Sequence, residues 1–363
     1  MTQDAPLRHA LELLSQGASL SGEATAAAFA VVMRGEATPV QTAALLMGLR
    51  AKGETADELA GAARALREAM VRVELEDVDG LVDTCGTGGG RVGTLNISTA
   101  AAFVVAAAGV PVAKHGNRSF TSRSGSADVL EALGVDITLP PADAAEVLRR
   151  AGLVFLFAPI YHPAMRHAGP VRRELAVPTI MNLLGPLANP AGVRRQVVGV
   201  SSADRAPLVA EALARLGATH ALVLHAAVGM DEVSPSGATH VWEVREGLVE
   251  TWAVSPESLG LACDDLDGLA GGEPVENAGR VERLLAGGGT TVERCAVLLN
   301  AAAALYVAGR GWSMAAAATR AREVLESGGG ARVLAELRRA APPGRAQDGA
   351  AAASEAPAGA RSS

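Results

Sequence analysis

The stretch DTCGTGGGRVGTLNISTAAAFVVAAAGVPVAKHGNRSFTSRSGS, residues 83–126, decides how the chain folds. It holds two loops rich in glycine and hydroxyl side chains, 83–98 and 114–126, joined by an apolar helix. Each loop follows a short β-like run, Leu81-Val82 and Val110 to Ala113. Such alternation is the unit of a parallel sheet, in which ligands bind beyond the carboxyl ends of strands. No acid lies between Asp83 and Asp128, although 39 acids in 363 residues put about five there by proportion. Arg91, Lys114, Arg118 and Arg123 therefore read as unopposed cations, and a basic, glycine-rich surface in a chain of net charge −7 points to a small phosphorylated ligand.

The same alternation runs on downstream. Candidate strands are 81–83, 110–114, 135–138, 153–158, 196–200 and 220–225, with helices at 98–108, 126–133, 142–151 and 205–216 among them. Gly109, Gly134, Gly152 and Gly217 stand where a helix ends with φ > 0. Upstream, residues 1 to 72 read as helices only, two of them opened by capping boxes, Thr38 to Gln41 and Thr55 to Glu58. The segment 159–190 interrupts the alternation with proline and short helical pieces and returns toward the helical unit. After it come a hairpin from Thr239 to Val249, a Gly/Asp-rich connector at 260–274, and helices near 275–286, 291–308, 313–327 and 330–339. The expected fold is α/β: a small all-helical domain (1–75, joined by part of 160–185) and a large α/β domain (76–340) with a mostly parallel central sheet flanked by helices. The expected disordered tail, 341–363, is rich in Ala, Gly, Pro and Ser.

Composition narrows the function. Hydrophobic residues make up 49% and aromatics only 3%, so the core is built from Ala, Val and Leu. Cys85, Cys263 and Cys295 are odd in number and unpaired in spacing, which argues against a disulfide framework or a zinc site. The N-terminus lacks a long apolar h-region and no run approaches a membrane span, so a cytoplasmic protein without membrane contact is expected. The net negative charge disfavours nonspecific nucleic-acid binding.

Four groups of residues carry candidate chemistry. Gly86 to Gly90 can bring several backbone amides to one anion, and Asn96, Ser98 and Thr99 add the start of a helix; a tight strand-to-helix turn is the plainer reading. Lys114 to Ser119, with Thr121, Ser122, Ser124 and Ser126, offers a compact charge in a hydroxyl lining, against the reading of a solvated basic loop. Asp231-Glu232 after an apolar run suits Mg²⁺ carried in with a polyphosphate, or is an exposed acidic turn. One of Arg172-Arg173 is placed to grip a carboxylate, or is a surface charge.

GTGG followed by NIST, then KHGNRS, SGSADVLEALG, FAPIYHPAM, VRREL, NLLGPLANP and GMDEVS, in that order, resembles the anthranilate phosphoribosyltransferase family over residues 5 to 340. The resemblance implies a homodimer formed through the helical domain, and Mg²⁺-dependent transfer of phosphoribose from phosphoribosyl pyrophosphate (PRPP) to the amine of anthranilate. It further implies PRPP binding by Gly86, Gly89, Gly90, Thr94, Asn96, Ile97, Ser98, Thr99, Lys114, His115, Gly116, Asn117, Arg118, Ser119, Phe120, Thr121, Ser122 and Ser126. Gly86, Asn117 and Arg172 are implied for anthranilate, and Ser98, Asp231 and Glu232 for Mg²⁺. No residue is implied as an acid or base. The sequence departs from the family pattern at Gly90, usually Asp; Ala176, commonly Gly; Met181, usually aromatic; and Ala226, often Gly. Competing expectations are a related transferase or pyrimidine nucleoside phosphorylase with another acceptor, and a non-catalytic paralogue that binds nucleic acid.

Overall fold

The computed structural model describes residues 4–76, 78–88, 93–119 and 123–343. Four helices come first: α1 (Ala5–Ser15), α2 (Gly22–Met33), α3 (Pro39–Lys52) and α4 (Ala56–Ala69). Both predicted capping boxes form; Thr38 and Thr55 each accept from the amide three residues on while Gln41 and Glu58 reach back to the cap amide. The alternating region then supplies β1 (Val82–Gly86), α5 (Ile97–Ala107), β2 (Val112–Gly116), α6 (Ser126–Ala132), α7 (Pro141–Ala151) and β3 (Leu153–Phe157). Three short helices follow, α8 (Ala158–Tyr161), α9 (Met165–Leu175) and α10 (Met181–Leu184), before β4 (Arg195–Gly199), α11 (Ala206–Arg215) and β5 (His220–Ala226). The hairpin is longer than expected, β6 (Thr239–Arg245) and β7 (Leu248–Val254). Helices α12 (Pro274–Leu285), α13 (Thr291–Val307), α14 (Met314–Glu326) and α15 (Gly329–Ala340) complete the chain.

The seven strands form one sheet in the order β3-β2-β1-β4-β5-β6-β7, parallel through the first five and antiparallel over the hairpin. The order runs outward from β1 to β3 and then returns to β4 on the other side of β1. That reversal opens a crevice at the carboxyl ends of β1 and β4, where Gly86 lies opposite Gly199. The pleat sends alternate side chains into two cores. Val197, Leu222 and Leu224 pack with α5, α7 and α12 to α15; Val198, Val200, Ala221 and Val223 pack with α11 and the N-terminal helices. Helix α9 packs on α2 and α3, and α10 on α4, so the 159–190 segment does return to the helical bundle.

One expected strand is not a strand. Residues 135–138 alternate apolar and polar in sequence, yet Val135, Asp136 and Ile137 are all buried and the segment pairs with no strand; Asp136 N donates to Ala341 O and its side chain closes a turn on Thr138. The period-2 pattern there reports an extended segment laid on the core. Ala341, placed in the tail by sequence, is buried, while 344–363 lie outside the described residues.

Candidate active site

The ends of β1 and β2 place a buried charge at the crevice. Lys114 is only 3% exposed, and its Nζ donates to Thr84 O at 2.5 Å and to Ser98 Oγ at 3.2 Å. It lies within β2, which runs two residues past the expected strand 110–114, and it stands there because Asp83 on β1 is buried beside it. Asp83 accepts from the His115 amide at 3.3 Å and from Asn189 Nδ2 at 2.8 Å. Burial lowers the Lys114 pKa and Asp83 opposes that shift; burial raises the Asp83 pKa and Lys114 opposes it in turn. With two of its three N–H groups committed, Lys114 keeps one for a ligand.

On the other side of the crevice, the loop after β5 carries the two acids back over β1 and β4. Gly199 makes this approach possible, since a Cβ there would overlap Asp231 O. At Gly86 it would fall 2.6 Å from Asp231 Oδ2. Asp231 Oδ2 accepts from Gly88 N at 3.2 Å, and Glu232 Oε1 from Thr94 Oγ1 at 3.1 Å. Glu232 Oε2 is buried with no hydrogen-bond partner among the described residues. Burial, then the neighbouring Asp231, pushes the Glu232 carboxyl well above the carboxylate range, and burial raises Asp231 as well. Two desolvated acids with an orphaned oxygen suit a hard divalent cation. Lys114 acts electrostatically on Glu232, which ties both halves of the crevice together.

Helix α5 starts at this edge without a side-chain cap, leaving first-turn amides to the loop before it. Asn96 donates through Nδ2 to Ser124 O, and so joins the first loop to the second. Thr99 Oγ1 is buried without a hydrogen-bond partner among the described residues. The Ile97 side chain is in the core and its amide donates to Leu95 O, so neither is free for a ligand. Asn117 Oδ1 accepts from the Arg118 amide and its carbonyl from Ser126 Oγ; its Nδ2 makes no hydrogen bond among the described residues.

Several expectations change here. Arg118 is not unopposed: it pairs with Asp128 and Glu131 from the next helix and lies 5.5 Å from the Phe157 ring. Arg123 pairs with Glu273. Ser119 N and Gly125 N both donate to Asp128 Oδ2, so that acid shapes the second loop. His115 is a neutral imidazole, its pKa lowered to about 3 by burial and by His162, whose ring lies 5.0 Å away. Its Nδ1 is held by Gly185 O. Gly116 ends β2 at this edge. Gly89, Gly90, Arg91, Phe120, Thr121 and Ser122 lie outside the described residues.

Arg172 sits in the last turn of α9, half-buried, and burial alone lowers its pKa. No acid pairs with it among the described residues, and no hydrogen bond links it to either glycine loop. A desolvated guanidinium in this state suits a carboxylate. Sequence reading missed Asp83 and Thr84. Asp83 is an acid in a strand pattern, a visible irregularity; Thr84 acts through its carbonyl, which has no sequence signal.

A buried lysine and a buried acid pair meet at the switch point of a parallel sheet, an arrangement that suits a phosphorylated ligand with a divalent cation. The glycosyl transferase family, a/b domain, matches residues 78–331, and the glycosyl transferase family, helical bundle domain, matches residues 8–70. The chain is 50% identical to the anthranilate phosphoribosyltransferase of Rubrobacter xylanophilus over 322 residues, covering 89% of this chain and 94% of that protein. That of Thermomicrobium roseum is 52% identical over 304 residues, 83% of this chain and 87% of the relative. The chain belongs to the anthranilate phosphoribosyltransferase family. Two solved structures agree. The Thermus thermophilus enzyme superposes with a TM-score of 0.85 at 45% identity, covering 91% of this chain and 99% of that one. The Saccharomyces cerevisiae enzyme in complex with PRPP and Mg gives 0.85 at 28% identity, covering 93% and 98%.

Proposed function

We propose that this chain transfers the phosphoribosyl group of PRPP to the amine of anthranilate, releasing pyrophosphate, in tryptophan biosynthesis. The observation that carries the reading is the convergence of Lys114, Ser98 and the Asp231-Glu232 pair on one crevice. In the reaction the C1–O bond breaks with its electron pair going to pyrophosphate, the C1–N bond forms, and the amine proton leaves to solvent. Lys114 and the Ser98 amide, the first-turn amide of α5 without a backbone partner among the described residues, would face the charge that builds on the leaving group. Ser98, Asp231 and Glu232 would hold Mg²⁺, and the buried, unpartnered Glu232 Oε2 fits that role. When bound, Mg²⁺ supplies Lewis-acid neutralisation of the pyrophosphate.

The described residues Gly86, Thr94, Asn96, Ser98, Thr99, Lys114 to Ser119 and Ser126 are assigned to PRPP. Gly86, Asn117 through its unused Nδ2, and Arg172 are assigned to anthranilate. An aromatic amine is already unprotonated at neutral pH, so no general base is assigned, and positioning supplies the acceptor-side contribution. Residues 1–75 with part of 160–185 form a small domain against 76–340, a division supported by the packing of α9 and α10 on the N-terminal helices. The proposed enzyme works in the cytoplasm as a homodimer through that domain; the dimer is supported by Val40 and Met47, exposed two turns apart on one face of α3. Among the described residues no helix is long and apolar enough to cross a membrane.

Loss of anthranilate fluorescence on adding PRPP and Mg²⁺ tests the reading. Turnover of thymidine with phosphate in its place would overturn it in favour of a nucleoside phosphorylase. Sedimentation at monomer mass would remove the dimer.

A further inference from the structure

The connector between the hairpin and α12 touches both glycine loops. Residue 270 forms an antiparallel bridge with Thr94, Leu95 N donates to Leu269 O, and Gly271 N donates to Gly93 O. The contact is close enough that a Cβ on Gly271 would meet Thr94 O at 2.5 Å. Beyond it, Asn277 on the first turn of α12 is 1% exposed. Its Oδ1 accepts from Gly272 N at 2.9 Å and its Nδ2 donates to Asn96 Oδ1 at 3.0 Å. Asn96 Nδ2 then donates to Ser124 O at 3.2 Å.

The polarity of this relay is fixed at both ends by backbone groups. Gly272 offers an N–H, so Asn277 must present its oxygen there and its amide nitrogen to Asn96. Ser124 offers a carbonyl, so Asn96 must turn its nitrogen to it and its oxygen to Asn277. One Asn96 N–H remains, aimed by its two neighbours, and a phosphate oxygen is the acceptor that suits it.

We infer that Asn277 is a positioning residue for PRPP: it sets the orientation of the Asn96 amide and ties the connector to both glycine loops. The inference rests on the transferase reading above. A fixed donor is worth more to a charged ligand than a rotating one, because no ordering is left for the moment of binding. The same connector steadies Thr94, which holds Glu232. Arg172, the charged contact proposed for the acceptor, has no hydrogen bond to either glycine loop among the described residues, so that contact does not depend on Asn277, and Gly86 and Asn117 make no hydrogen bond to Asn96 or Asn277.

The test is steady-state kinetics of the full chain in Mg²⁺, varying PRPP and anthranilate separately, for wild type, Asn277→Ala, Asn277→Ser and Asn277→Asp. Each variant is checked by thermal melting. Removing the amide should raise the KM for PRPP about tenfold and leave that for anthranilate within about twofold. Asn277→Asp is the sharper case. Its carboxylate still accepts from Gly272 N but offers Asn96 a second acceptor, so the PRPP defect should exceed that of Asn277→Ala. The defect should shrink as pH falls and the introduced carboxyl gains a proton to donate. A purely structural asparagine predicts the reverse order, Asp milder than Ala, with no pH dependence. That order, equal rises in both KM values, or an unchanged KM for PRPP would each overturn the inference. An inactive wild type would instead overturn the transferase reading. Three substitutions keep the test from depending on the folding of any one.

Discussion

The proposed carboxylate contact puts acceptor specificity on Arg172. It is half-buried, its charge opposed by no acid among the described residues, so its removal costs the fold little and the ligand much. Arg172→Ala should raise the KM for anthranilate about tenfold or more while leaving that for PRPP near wild type, measured in the fluorescence assay. Four residues on, Ala176 caps α9 at φ 52°, a left-handed conformation that crowds a Cβ. The family's common glycine at this position has a physical reason, and this chain lacks it. Ala176→Gly should stabilise the protein by about 1 kcal/mol, read as a small rise in Tm. The sequence showed the departure but not its sign, because φ is invisible until the helix end is placed.

Among elements, the loop after β5 carries a pH dependence that can be worked out. The Asp231 and Glu232 carboxyls are raised in the folded protein above 3.8 and 4.5, so stability they contribute is present at low pH. It is lost as pH rises, because the unfolded chain ionises first. A bound divalent cation removes that penalty. Mg²⁺ should therefore raise Tm little near about pH 5 and progressively more toward about pH 8. Thermal shift at a series of pH values checks this, and Asp231→Asn combined with Glu232→Gln should flatten the response. Elements were legible where their signals were local. Both capping boxes formed because the bonds span three residues, and the parallel strands followed β-branched runs. At 135–138 alternation was real but the pairing partner was missing, a fact that no local pattern carries. The acid-free window misled for a similar reason. Asp128 and Glu131 lie just past its end on α6, and Glu273 arrives from 150 residues away.

At the scale of the molecule, helical bundle and sheet are joined by more than apolar contact. Arg67 of α4 donates to Leu187 O at 2.6 Å and to Leu216 O at 3.4 Å, with burial lowering its pKa to about 10. Arg205 pairs with Glu54 across the same junction. Arg67→Ala strips two carbonyls of their donor and should cost about 2 to 3 kcal/mol in urea unfolding. A change confined to the exposed face of α4 should cost a fraction of that. The bundle's presence was legible from periodicity; the arginine that fastens it was not, because its partners are main-chain oxygens.

The burial of Lys114 bears on binding as well as on the proposed chemistry. A cation lodged inside β2, with Asp83 behind it and less than a twentieth of its surface in water, is shielded from mobile ions that would gather around a surface lysine. Its attraction for a phosphorylated sugar acts over the last few ångströms, after the ligand has shed its own ion atmosphere. Added potassium chloride should then change the departure of PRPP far less than it would for a ligand held by surface lysines. Dissociation rates measured in stopped flow should stay nearly level from dilute buffer to physiological salt, so the enzyme would retain its substrate across changes in cellular ionic strength.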